Sequence, residues 1–295
     1  MIGELSALLT AFLWSITSLL FASAVPRIGS VQLNVSRQLI ALFLLSIIIL
    51  IFGFNVSLSS RQIFFLSLSG FIGLTFGDSF LFLAYREIGA RISMLMMSLS
   101  PAFAAILAFL LLKEKLNLIS ISGIIVTISG IILVVYDRGG NKSEKINYTG
   151  LFFALLASIG QGIGLVLAKI AFMEANNSLN GFVATSVRLA ASISILLPAS
   201  ILMRKLKNPI EVFRKDPKAL WLTIGGSIAG PILGITFSLI AISHTKVGIA
   251  STIMALPPVI MLPMVRYFFN EKLTYRSIIG GFIAVAGVAI LFLRN

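Results

Sequence analysis

Residues 73–116 read GLTFGDSFLFLAYREIGARISMLMMSLSPAFAAILAFLLLKEKL, and residues 230–273 read GPILGITFSLIAISHTKVGIASTIMALPPVIMLPMVRYFFNEKL. At a constant offset of 157 residues, Gly73 falls on Gly230, Gly77 on Gly234, Phe80 on Phe237, Ala84 on Ala241 and Pro101 on Pro258. Glu114-Lys115-Leu116 falls on Glu271-Lys272-Leu273, and the same register places Gly123 on Gly280 and Gly130 on Gly287. A period of this length is an internal repeat, so the chain reads as two halves of one design.

Working outward, the chain is 58% hydrophobic and 11% charged, against roughly a quarter charged in a soluble domain. Apolar runs of about 20 residues recur throughout, each long enough to cross a hydrocarbon layer roughly 30 Å thick. Ten spans are expected, at 3–24, 32–53, 62–84, 92–112, 118–136, 149–172, 181–203, 219–242, 247–268 and 275–293. The runs are apolar on every face and lack period-two alternation, so they read as helices and not as barrel strands. The first run lacks a basic flank and a small-residue cleavage signal, so it reads as a retained span.

The expected fold is therefore an all-α integral membrane protein with ten transmembrane helices. Residues 1–136 form a first five-helix repeat, 137–147 an inter-repeat loop, and 148–295 a second repeat. Five spans per half is an odd number, so the second half enters from the opposite side and the repeats are inverted. The first spans align more loosely. Gly3–Leu20 laid on Gly150–Leu167 puts Trp14 opposite Gln161, and Arg37 can be laid on Arg188. The polar segment Arg204–Lys218 reads as a basic surface loop or as a short amphipathic turn at the membrane surface.

The net charge of +13 is assigned to membrane-surface loops, not to nucleic-acid binding. Loops after odd-numbered spans carry 15 basic residues and the other side 5, which places the odd loops in the cytoplasm and both termini outside. Cysteine is absent and His244 is the single histidine, so no metal site, catalytic cluster or cofactor is expected. An intramembrane enzyme would need a nucleophile or a second acid beside Asp78, and a scaffold or receptor would need a soluble domain. A channel is a further alternative, less well matched to paired proline-bearing helices.

With a small-residue third span, a proline-centred fourth, an acid-plus-base pair (Glu114-Lys115, Glu271-Lys272) and a glycine-bearing fifth, all in the same order twice, the chain resembles the drug/metabolite transporter superfamily. Within it, the EamA-like group is the nearest likeness. That resemblance implies a secondary carrier, often an exporter of amino acids or other small metabolites. It also implies cytoplasmic termini, opposite to the charge count.

Six kinds of position are candidates for function. Asp78, the one acid well inside a span, reads either as a proton-coupling or substrate-amine site or as an interhelical hydrogen bond. Gln161 and Trp14 read as cavity lining or as helix contacts. Arg188, deep in its span, and Arg37, about two turns from an end, read as forks for a substrate carboxylate or as snorkelling cations. Gly73, Gly77, Gly230 and Gly234 read as helix-packing faces. Pro101, Pro257, Pro258 and Pro263 read as kinks, either hinges for alternating access or fixed bends. Met94, Met96, Met97, Phe80 and Phe82 read as core or cavity wall, Asn34 and Thr185 as structural, and Lys169 as a snorkelling cation. Together, Arg188 and Asp78 favour an amino acid or related zwitterion. The alternatives are a drug-like cation and a nucleoside or sugar metabolite. The expected partners are this substrate, the lipid bilayer and a proton or other ion gradient.

Overall fold

The computed structural model describes residues 2–112, 118–139, 147–174, 179–244, 250, 253–270 and 273–292. Among these residues all regular structure is helical. In hydrocarbon every backbone donor needs a partner inside its own segment, and helices supply one at each residue. Helices α1 (Ile2–Ile28) and α2 (Ser30–Phe52) are joined through Gly29 alone. Gly29 sits at φ +85°, a conformation that side-chain-bearing residues rarely adopt. Helix α3 (Ser60–Gly70) opens on a capping box, in which the Ser59 hydroxyl accepts from the Gln62 N–H and the Gln62 side chain accepts from Ser59. It passes through a π-helical turn, Phe71–Gly77, into α4 (Asp78–Met97).

Helix α4 is broken at Gly89, whose backbone (φ 75°, ψ 172°) is not helical. There follow α5 (Ser100–Leu112), α6 (Leu118–Gly139), α7 (Tyr148–Glu174) and α8 (Gly181–Leu202). Of the two readings of Arg204–Lys218, the structure has the helical one: a short helix, α9 (Pro209–Lys215), capped by the Asn208 side chain and with no buried residue. Then come α10 (Pro217–Ser227), a second π-helical turn (Ile228–Gly234), α11 (Ile235–His244), α12 (Pro257–Phe269) and α13 (Tyr275–Phe292).

Among the described residues, six helices are long and apolar enough to cross a membrane: Ile2–Ile28, Ser30–Phe52, Ser60–Met97, Tyr148–Glu174, Gly181–Leu202 and Pro217–His244. Shorter apolar helices lie at Ile121–Tyr136 and Tyr275–Ile290. The expected fourth span is not one helix. It is a helical piece after Gly89, a turn at Ser98 and Leu99, and then α5. The ninth carries a matching break at Ala255 and Leu256, before α12.

These breaks correct the reading of the prolines. Pro101, Pro257 and Pro258 lie in the first turn of α5 and α12, where a helix has no use for the missing N–H. Only Pro263 lies inside its helix. The repeated Glu-Lys pairs, Glu114-Lys115 and Glu271-Lys272, lie outside the described residues.

Packing is between halves. Helix α7 lies along α3, the first π turn and α4, while α1 lies along α10, the second π turn and α11. Helix α2 meets α8, and α6 meets α13. Small residues permit the close approaches. A Cβ on Gly160 would lie 2.8 Å from the Gly77 Cα, and one on Gly164 would lie 3.1 Å from the Gly73 Cα. Gly230 and Gly234 do the same against α1, where a Cβ would lie 2.9 Å from Thr17 and 2.8 Å from the Trp14 ring. Gly130 and Gly287 close the contact of α6 with α13, at 2.4 Å from the Ala284 N and 2.3 Å from the Thr127 N. Buried hydroxyls such as Thr10, Ser15 and Thr223 return their proton to a carbonyl one turn back, at 2.7–2.8 Å, and so expose no free donor.

Candidate functional site

The π turns position the site. A π turn shifts the hydrogen-bond ladder by one residue: the Asp78 N–H donates to the Gly73 carbonyl, and the Ile235 N–H to the Gly230 carbonyl. At the first turn, side chains from neighbouring helices meet the displaced carbonyls. The Asn34 and Gln38 amides donate to the Leu74 carbonyl at 3.4 and 3.3 Å, and Gln161 donates to the Gly73 carbonyl at 3.3 Å. The turn also delivers Asp78 to the interior, 6% exposed.

There Asp78 is engaged twice. Its Oδ2 accepts from Arg37 in an ion pair, and its Oδ1 accepts from Gln161 Nε2 at 2.7 Å. Arg37, expected to be able to snorkel, is instead 3% exposed and fixed on three sides. Its Nε and Nη2 donate to Asn34 Oδ1 at 3.0 and 2.9 Å, and its guanidinium lies 4.9 Å from the Phe82 ring centre and 5.7 Å from that of Phe21. The sequence separates Arg37 from Asp78 by 41 residues, but neutralisation of a lone acid by a lone cation in apolar surroundings was the available signal. Because α3, the π turn and α4 form one continuous path from Ser60 to Ile88, Asp78 lies closer to the middle of its span than to either end.

Arg188 is arranged differently. It is 4% exposed and within electrostatic reach of Asp78, yet its Nε has no hydrogen-bond partner among the described residues. Gly73 leaves room for it, since a Cβ there would come 3.2 Å from Arg188 Nη2.

These groups line a cavity of about 150 Å³. Trp14, Arg37, Asp78, Gln161 and Arg188 all reach it, as do Pro101, Pro257, Pro258 and Gly230. Gly73, Gly77, Gly234 and Pro263 do not; the first three pack helices. Met94, Met97 and Phe82 are wall residues, while Phe80 packs on Phe76 and Phe153 at 4.8 and 5.7 Å between ring centres. Sequence reasoning missed Phe21, Tyr85, Ser98 and Ser238 on the wall. Tyr85 stands seven residues after Asp78, on the same face of α4, and that spacing could have found it. Phe21 and Phe82 meet edge to face at 5.4 Å. Asn34 orients Arg37, and Thr185 bonds Thr236 at 3.3 Å; both are structural. His244 is exposed, 2.9 Å from the Ser243 hydroxyl.

Polar contacts at the ends of the helices link particular loops. Arg27 donates to Asp216 at 2.8 Å, the Lys207 N–H to Gln32 at 3.0 Å, and Asn147 to Glu87 at 3.0 Å. Arg61 pairs with Glu174 at 3.1 Å. The Arg27 hydrogen bond, with the Ala219 N–H behind it, holds the Asp216 carboxyl below its ordinary value. Arg91, one of the 15 basic residues assigned to loops after odd-numbered spans, is 8% exposed and does not face solvent.

The EamA-like transporter family pattern matches residues 1–136 and 148–293. An uncharacterized transporter of Archaeoglobus fulgidus is 23% identical over 296 residues, covering 99% of each chain. A probable purine permease 5 of Arabidopsis thaliana is 25% identical over 180 residues, 58% of this chain and 49% of that one. A solved crystal structure superposes with a TM-score of 0.71 at 16% identity, covering 99% of this chain and 96% of its own, which establishes likeness of fold.

Proposed function

Because this chain belongs to the EamA-like transporter family and is a multi-pass integral membrane protein, we propose that it is a secondary carrier. In this reading, two inverted five-helix repeats, 1–136 and 148–295, expose one central cavity alternately to the two sides of the membrane. The observation that carries the reading is the pair of helix breaks. Ser98–Leu99 and Ala255–Leu256 are 157 residues apart, the same offset that relates the two π turns, and Ser98 and Ala255 both line the cavity. Broken helices at a central cavity supply movable elements and a place for substrate in one device. Pro101, Pro257 and Pro258, just beyond the breaks, stiffen the helix starts about which the halves hinge.

The packing supports two equivalent repeats related by a pseudo-two-fold. Exchanging the halves turns the contact of α1 with α10–α11 into that of α7 with α3–α4, and maps the α2–α8 and α6–α13 contacts onto themselves. The end contacts support ten crossings. Those of Arg27, Lys207 and Asn147 join loops after odd-numbered spans to one another, and Arg61–Glu174 joins two after even-numbered spans.

The substrate is read as a metabolite of amino-acid size, carried outward, with a proton or other ion gradient as the driving force. A cavity of about 150 Å³ is in the range that holds a single small ring. It is below the roughly 300–1,000 Å³ of sites for drug-sized ligands, which disfavours a drug-like cation. A second reading, a purine-like ring, is favoured by the name of the Arabidopsis relative and by Trp14, Phe21 and Phe82 on the wall.

The chain has no cysteine, so Ser238→Cys places a single thiol on the cavity wall. Alternating access predicts that membrane-impermeant maleimide reaches it from either side of a sealed vesicle. Reaction from one side only, or from neither, contradicts the proposal.

A further inference from the structure

The cavity is unbalanced in charge. Among the described residues its charged lining is Arg37, Asp78 and Arg188, two guanidinium groups against one carboxylate. Asp78 bonds Arg37 and Gln161, and Arg37 is further held by Asn34 and by the Phe82 ring. Arg188 is left as the charge without a hydrogen-bonded counter-ion among the described residues, and its Nε is buried with no acceptor. A buried cation in this condition is costly unless something pairs it. The pseudo-equivalent Arg37 shows how the site meets that cost when a carboxylate is supplied from within the chain.

We infer that the missing partner is the substrate. Arg188 holds the carboxylate of a small monoanion whose apolar body lies against Trp14, Phe21 and Phe82, and no substrate amine is required. This inference rests on the carrier reading. It departs from the zwitterionic expectation, which reserved Asp78 for an amine. Each Asp78 oxygen already accepts a hydrogen bond, one of them from a guanidinium, so an incoming ammonium would have to compete with Arg37 and would add a second positive excess to the site. A carboxylate on Arg188 brings the lining to neutrality, and a guanidinium fork matches its two oxygens. An amino acid is accepted through its carboxylate, and its amino group contributes nothing to binding.

The test uses matched triplets that share one body: 3-phenylpropanoate, phenylalanine and phenethylamine, with the corresponding triplets on isobutyl and indolyl bodies. Binding to the purified full-length protein is read by thermal stabilisation, and transport by uptake into proteoliposomes. For at least one body, the carboxylate is expected to bind as tightly as the amino acid or tighter. The amine should bind at least tenfold more weakly. Arg188→Gln is expected to weaken the carboxylate at least tenfold, with Arg188→Lys in between. Arg188→Lys also separates lost recognition from lost folding, because it keeps the charge.

The inference is overturned if every amino acid binds more tightly than its own carboxylate, if any amine matches its own carboxylate, if Arg188→Gln binds the carboxylates as the unmodified protein does, or if no carboxylate binds. The two readings fail separately. Arg188-dependent binding without uptake contradicts the carrier, whereas uptake of a neutral or cationic compound that survives Arg188→Gln contradicts only the anion inference.

Discussion

Removing Asp78 should destabilise this protein more than removing Arg37, although the two are partners in one ion pair. Among the described residues, Asp78 is the sole carboxylate in the cavity lining, and it faces two guanidinium groups. In Asp78→Asn, Arg37 and Arg188, 3% and 4% exposed, are both left without an anion. Stranding a buried charge costs about 3–5 kcal/mol. In Arg37→Gln the carboxylate survives with Gln161 at 2.7 Å and Arg188 still in electrostatic reach. The loss is then close to that of one charged hydrogen bond, about 1.5–3 kcal/mol.

At roughly 2 °C per kcal/mol for a chain of this size, Asp78→Asn should lower the thermal midpoint by about 6–10 °C and Arg37→Gln by about 3–6 °C. The double substitution leaves Arg188 as the single charge, and should fall short of the sum of the two. Midpoints in one detergent, read by loss of monodisperse protein on heating, give all three values. Arg37→Gln costing as much as Asp78→Asn, or an additive double variant, would refute the charge accounting.

Further predictions follow from the packing and the loops. Gly160→Val drives a side chain into the backbone at Gly77 and Ile72, 2.8 and 3.0 Å from the new Cβ, and should cost about 3 kcal/mol or more. Gly281→Ala, with nothing within 4 Å, should gain up to about 1 kcal/mol of helix propensity; the same melting assay compares them. The Asp216 carboxyl is held low by Arg27, so its contribution is present above the ordinary carboxylate pKa and disappears as pH falls through the lowered one. Asp216→Asn should therefore flatten the acid limb of the melting temperature below about pH 4. Single cysteines at Asn55, in an exposed loop, and at Glu211, on the exposed helix α9, should label from opposite faces of the membrane; labelling of both from one face contradicts ten crossings. The face that reaches Glu211 also decides between the basic-residue count and the family resemblance, which place it on opposite sides.

Much of this was legible in the sequence because the hydrocarbon solvent simplifies the code. Apolar length locates the spans, and the offset of 157 that aligns Gly77 with Gly234 also aligns the π turns and the helix breaks. Trp14, Gln161 and Arg188 were selected because polar or indole groups at mid-span need a reason, and all three reach the cavity.

What stayed hidden depends on backbone geometry. Proline removes the same N–H at the first turn as in the middle of a helix, so Pro101 and Pro258 could not announce a break rather than a kink. Nor does hydropathy see a π turn: Phe71–Gly77 is as apolar as the helix before it, and only the carbonyls of Gly73 and Leu74, accepting from Gln161, Asn34 and Gln38, reveal the shift. Arg37 was misplaced because distance along the sequence to a helix end says little once a carboxylate waits inside.

Counterflow tests the central claim most directly. Proteoliposomes loaded with an unlabelled transported compound are diluted into a trace of the same compound carrying a radiolabel, with no ion gradient. A carrier that exposes one cavity alternately predicts transient accumulation of label above its outside concentration and, where the compound is a carboxylate, its loss in Arg188→Gln. Label that only equilibrates, without overshoot, would contradict alternating access through this site.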